Sequence, residues 1–148
     1  MRTDEFWPVT GSVQASVRTV TKETTMVPTA TVRLGSLVLG STDPERLSAW
    51  YRAAFAPSVE AGNVLELSSG RLIFERRDDL EPAPREAGRI LINLYVDDIR
   101  SVEGHLRSLE VQWIRSVEPF AAGTIATLKD IDGNYVQIVE LAGEAHDR

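Results

Sequence analysis

LGSLVLGSTDPERLSAWYRAAF, residues 34–55, reads as a strand that feeds a capped helix. The aliphatic run from Thr31 to Gly40 suits a strand, and Ser41-Thr42-Asp43-Pro44 converts it into a helix start. Asp43 is a good N-cap because its carboxylate can take an unpaired N–H of the first turn. Pro44 is a good first helical residue, since the N–H it lacks would have no partner there. Leu47, Trp50, Tyr51 and Ala54 recur at i, i+3, i+4 and i+7, one apolar face of a helix that ends near Phe55 and is stopped by Pro57. NVLEL, the turn Ser68-Ser69-Gly70 and RLIFER follow as a hairpin, with room for one short strand before it around Val59. Residues 78–88, polar and holding Pro82 and Pro84, form a linker.

The second half returns to the same order. RILINLYV is a strand, Asp97-Asp98 caps a helix, and Ile99, Val102, Leu106 and Leu109 make its buried stripe. VQWIRSV, TIATLKD and YVQIVEL are strands, the last two joined by a turn at Asp132-Gly133-Asn134. The offset that carries Asp43 onto Asp98 also carries Leu47 onto Val102 and Tyr51 onto Leu106. A repeat of this size is too small to close a core alone, so the two copies should pack together. The expected organisation is an N-terminal extension over 1–29, a domain over 30–142 with module one at 31–80 and module two at 88–141, and a tail over 143–148. The extension is rich in Thr, Ser and Val without a sustained helical period, and reads as a mobile arm.

Composition removes whole classes of function. The chain has 148 residues, enough for one ordinary domain, with 43% hydrophobic and 26% charged side chains. No apolar run approaches the roughly 20 residues of a membrane-spanning helix. The first residues lack the basic-then-apolar pattern of a secretory signal, which points to the cytoplasm. Without cysteine there are no disulfides, zinc–thiolate sites, iron–sulfur clusters or thiol nucleophiles. Sixteen basic against 22 acidic side chains leave a charge of −6, the wrong sign for a nucleic-acid surface. The only histidines are His105 and His146.

These segments resemble the vicinal oxygen chelate superfamily: glyoxalase I, extradiol dioxygenases, methylmalonyl-CoA epimerase, fosfomycin-resistance and bleomycin-binding proteins. The resemblance is carried by residues 34–55, by LINLYVDDIRSVEGHLRSLEV and by KDIDGNYVQIVEL, in which Ile131 stands where the family usually has proline. It implies an α+β fold of two tandem βαβββ modules, forming a curved, cup-like mixed sheet with helices outside and a ligand within. It also implies a homodimer. The family's metal-ligand positions fall on Ser36, Leu91, Gln137 and Phe74, the last aligned through the turn glycines Gly70 and Gly133; a one-residue slip offers Glu75 instead. Leucine cannot coordinate a metal and serine rarely does, so neither metal nor other cofactor is expected.

If those positions face the cup, period two places their neighbours. The ligand-lining set is then Ser36, Val38, Phe74, Leu91, Asn93, Tyr95 and Gln137, with Trp113 as a stacking wall. Leu37, Leu39, Ile90, Ile92, Leu94, Val96, Val136 and Ile138 fall on the opposite face, beneath the helices. Asn93 and Gln137 stand out because an amide in an apolar strand demands a partner. Ser36 lacks a basic neighbour, so hydrolysis through it is not expected. The first reading is a metal-free protein that binds a small organic molecule, a drug or metabolite, in the cup. The alternative is a metal-dependent lyase, isomerase or dioxygenase with a degenerate site at Glu75 and Gln137. A third is a partner-binding module that uses Trp7 and the sheet edges.

Overall fold

Both helix starts form through the caps the sequence places there. In the computed structural model, the Asp43 carboxylate accepts the N–H of Arg46 at 3.1 Å, and α1 (Pro44–Phe55) begins on its proline. Asp98 accepts the N–H of Ser101 at 3.0 Å at the head of α2 (Ile99–Ser108). A strand residue, Glu140, takes the first N–H of that helix, from Ile99, at 2.7 Å. α1 buries Leu47, Tyr51 and Ala54, and α2 buries Ile99 and Leu106. Leu109, expected in the same stripe, is exposed: the helix ends at Ser108, and Glu110 turns the chain with a φ of 55°.

The structure describes residues 32–143. The N-terminal extension with Trp7 and the tail with His146 lie outside the described residues. The chain divides into Met1–Arg33 and Leu34–Arg148; only Val32 and Arg33 of the first unit are described, and every element here belongs to the second. No helix among the described residues is long and apolar enough to cross a membrane.

Two open sheets carry the repeat. In module one, β1 (Ser36–Ser41), β2 (Val64–Leu67) and β3 (Gly70–Arg76) lie in the order β1-β3-β2, with β1 parallel to β3. In module two, β4 (Leu91–Tyr95), β5 (Gln112–Phe120), β6 (Gly123–Lys129) and β7 (Tyr135–Leu141) lie in the order β4-β7-β6-β5, with β4 parallel to β7. The fold is α+β and the modules are βαββ and βαβββ. No strand forms around Val59, because side chains of α1 occupy the backbone there. Arg52 donates to the carbonyls of Glu60 (2.8 Å) and Val64 (3.1 Å), and Ser48 donates to the carbonyl of Gly62 at 2.5 Å. Carbonyls so engaged are not free to build a ladder with a further strand.

One hydrophobic cluster holds both modules, with Leu39, Tyr51 and Phe74 from the first and Ile92, Leu106 and Ile138 from the second. Two hydrogen bonds cross between them to the turn after β6. The Tyr51 hydroxyl donates to Asp130 at 2.7 Å, and the Ser41 hydroxyl donates to Asp132 at 2.5 Å. Asp130 also accepts the N–H groups of Asp132 and Asn134, each at 2.9 Å, and the Asn134 amide at 2.7 Å. This carboxylate closes the turn from within, and Gly133 supplies its positive φ of 91°. The turn therefore closes with Ile131 in place of the family's usual proline.

Candidate functional site

Each sheet buries one face under the helices, and the other, open face carries its exposed side chains, although on sheet two Thr127 and Val139 of that face are also buried. Residues paired across adjacent strands share a face, so register assigns every side chain. On sheet one Val38 pairs with Ile73 and Gly40 with Glu75, which puts Ser36, Val38, Ile73 and Glu75 on the open face. Phe74 pairs with Leu39 and is 1% exposed, its ring 5.4 Å from that of Tyr51. The expectation that Phe74 faces the cup is corrected: the register is slipped by one, and Glu75 looks out while Leu72 and Phe74 fill the core.

The open face of sheet two is built from rows that run across the strands. The central row is polar: Asn93 on β4, Gln137 on β7, Thr127 on β6 and Arg115 on β5. Gln137 donates its amide N–H to the Thr127 hydroxyl at 3.0 Å, which leaves its carbonyl oxygen to accept from elsewhere. One flanking row is Leu91, Tyr135, Lys129 and Gln112, with the Lys129 ammonium 5.8 Å from the centre of the Tyr135 ring. The other is Tyr95, Val139, Ile125 and Glu118. Tyr95 is 65% exposed and Leu91 44%. A hydrogen-bonding strip between apolar and aromatic strips can hold a flat organic molecule by stacking and by paired donors and acceptors.

Trp113 does not join this face. It pairs with Leu128 on the helix side, packs against the core and lies under the Arg107 guanidinium of α2, 5.3 Å from the ring centre. The structure thus brings Leu91, Asn93, Tyr95 and Gln137 together on one sheet, places Ser36 and Val38 on the open face of the other, and sends Phe74 and Trp113 to the core side. Nothing local in the sequence places Thr127 and Arg115 on this face. Only the β6–β7 and β5–β6 pairings reveal them, because alternation along one strand carries no cross-strand register.

The donor set does not fit zinc, iron or nickel. With the observed register the four family positions hold a hydroxyl (Ser36), a carboxylate (Glu75), a hydrocarbon (Leu91) and an amide already bonded through its nitrogen (Gln137). Zinc, iron and nickel sites draw on imidazole, and none of the four positions supplies one. Among the described residues no three His, Cys, Asp or Glu side chains converge. His105 sits on α2 and donates from Nε2 to the Ala53 carbonyl at 2.6 Å, a contact between the helices.

No family model and no curated protein matches the chain in sequence. Solved structures do match in shape. A glyoxalase/bleomycin resistance protein/dioxygenase family enzyme from Burkholderia phytofirmans PsJN superposes with a TM-score of 0.58 at 14% identity, covering 74% of this chain and 99% of its own. TioX from Micromonospora sp. ML1 gives 0.57 at 14% identity, with the same coverage. Lactoylglutathione lyase from Agrobacterium tumefaciens gives 0.52 at 21% identity, covering 73% and 92%. At these identities the likeness establishes the fold: the chain has the vicinal oxygen chelate fold.

Proposed function

We propose that this protein binds a small organic molecule, a drug or metabolite with a flat hydrogen-bonding core, on the open faces of its sheets and without a metal. The observation that carries the reading is the face of sheet two, where the Asn93–Gln137–Thr127 strip runs between exposed Tyr95 and Leu91. An apolar surface left open beside convergent polar groups is the signature of a ligand or partner site. The neighbours in shape include a lactoylglutathione lyase and a glyoxalase/bleomycin resistance protein/dioxygenase family enzyme, but the donors here favour holding a molecule over activating it. A homodimer belongs to the same reading, since a second copy is an economical cover for an exposed sheet face.

Native mass spectrometry of the freshly purified protein, with elemental analysis for Mn, Fe, Co, Ni and Zn, tests this. The expected species is a dimer that carries an organic mass and no stoichiometric metal. Asn93→Ala and Tyr95→Ala should weaken retention of that mass by about tenfold each, the scale of one lost hydrogen bond or stacking contact. Tyr95 is exposed enough that its removal should leave the unfolding midpoint in place. A stoichiometric metal, or a bound mass indifferent to both variants, would overturn the reading and direct attention to Glu75.

A further inference from the structure

β1 and β4 each stand at the edge of their sheet, and a cleft of about 600 Å³ opens between them. Its volume lies in the range of roughly 300–1,000 Å³ typical of small-molecule sites. The linker forms one wall and is held close: a Cβ on Gly40 would meet Arg77 at 3.0 Å and Leu80 at 3.2 Å, and one on Gly133 would meet Pro84 at 3.4 Å. Leu39, Ile90 and Ile92 supply apolar surface opposite Pro82 and Pro84, and the turn after β6 supplies Asp132.

Charge within this cleft is lopsided. Its three arginines are each neutralised along the linker: Arg77 by Asp79 at 2.7 Å, Arg85 by Glu81 and Arg89 by Glu86. Asp132 differs. One of its oxygens accepts the Ser41 hydroxyl, a neutral donor, and among the described residues no Lys, Arg or His pairs with it. The neighbouring Asp130 has four donors on its carboxylate, so Asp132 is the member of the turn left with charge and acceptor capacity to offer.

We propose that the seam between the modules is a second binding site, for an organic cation whose amine or amidine meets Asp132 and whose apolar body lies between Ile90, Ile92 and the linker prolines. It shares β1 with the open face of sheet one but uses none of Asn93, Tyr95 or Gln137. The two sites therefore stand or fall separately.

The test is a ¹⁵N NMR titration of the full chain with 4-phenylbutylamine, 4-phenylbutanol and 4-phenylbutyrate, which share a body and differ in charge. The amine should shift the amides of Gly40, Ile92, Asp132 and Asn134 saturably, and bind about tenfold more tightly than the alcohol, the advantage of a charge-assisted hydrogen bond. The acid should bind most weakly. Asp132→Asn keeps an oxygen for Ser41 and should reduce the amine to the affinity of the alcohol. Ile90→Ala, at a side chain 68% exposed and so harmless to folding, should weaken amine and alcohol alike by roughly threefold. If Asp132→Asn fails to fold, the contrast of amine and acid on the unaltered protein still decides. Equal binding of amine and alcohol, preference for the acid, shifts confined to Asn93, Thr127 and Gln137, or no binding up to the solubility limit would each overturn the proposal.

Discussion

Asp130 brings a carboxylate into the interior without a cation, on hydrogen bonds alone. Burial pushes its pKa above the usual aspartate value of 3.8, against the opposing pull of Asn134, Tyr51 and the turn N–H groups. The Tyr51 phenol is pushed far up as well, first by burial and then by the charge of Asp130, so it stays protonated and donates. A raised carboxylate pKa means that the folded protein takes up the proton before the unfolded chain does. The stability linked to it is complete below the unfolded value and is lost as pH rises through the folded one. Asp130→Asn removes that titration. The unfolding free energy of the wild type, measured in urea relative to this variant, should therefore grow as pH falls from 7 toward 4. A difference that is flat or shrinks toward acid would refute the assignment. Both residues belong to motifs that stand out in the sequence, yet they lie 79 positions apart and nothing local announces their bond.

At the scale of strands, parity decided which side chains are available to a ligand. Counting from Gly70 and Gly133 puts Phe74 in the place of Gln137, but the two glycines do different work. Gly133 adopts a φ of 91° two residues before β7, whereas Gly70 is the first residue of β3 and pairs with Leu67. Turns of different geometry do not conserve parity, and a slip of one residue exchanges the faces of a whole strand. On β5 the pairing shifts between Trp113 and Arg115 and again before Glu118, so simple alternation cannot place Trp113. Gly123, which opens β6, has a harder constraint. Its φ is 157°, and a Cβ there would stand 2.0 Å from the Glu140 carbonyl oxygen. Backbone, not a flexible side chain, must move to admit it. Gly123→Ala should cost about 3 kcal/mol in urea denaturation, and an unchanged midpoint would show that the β6–β7 pairing relaxes freely.

At the scale of the whole molecule, one core cluster, the two hydrogen bonds to the turn after β6 and the His105–Ala53 bond between the helices bind the modules, so they should unfold together. Trp50 lies in module one and Trp113 in module two, which makes single-tryptophan variants natural reporters. Their urea midpoints should coincide, and Tyr51→Phe should move both down together, with a loss of about 1.5–3 kcal/mol in unfolding free energy, the scale of a hydrogen bond to a charged group. Separate transitions would show that each module closes its own core. The amino-acid order was sufficient for the repeat, both helix caps, the α1 stripe, and the helix-side faces of β1, β4 and β7, except that Ile90, expected beneath the helices, precedes β4 and is exposed. Each of these rests on a periodicity or a spacing within a few residues, and such signals survive without knowledge of the partner element. The tertiary structure alone decided that Glu75 and not Phe74 looks out, that Trp113 packs beneath α2, that Asn93, Gln137 and Thr127 form one row, and that Asp132 faces a seam. Those outcomes depend on how strands remote in sequence register against one another, and register is set by the packing of the whole core rather than by any one segment.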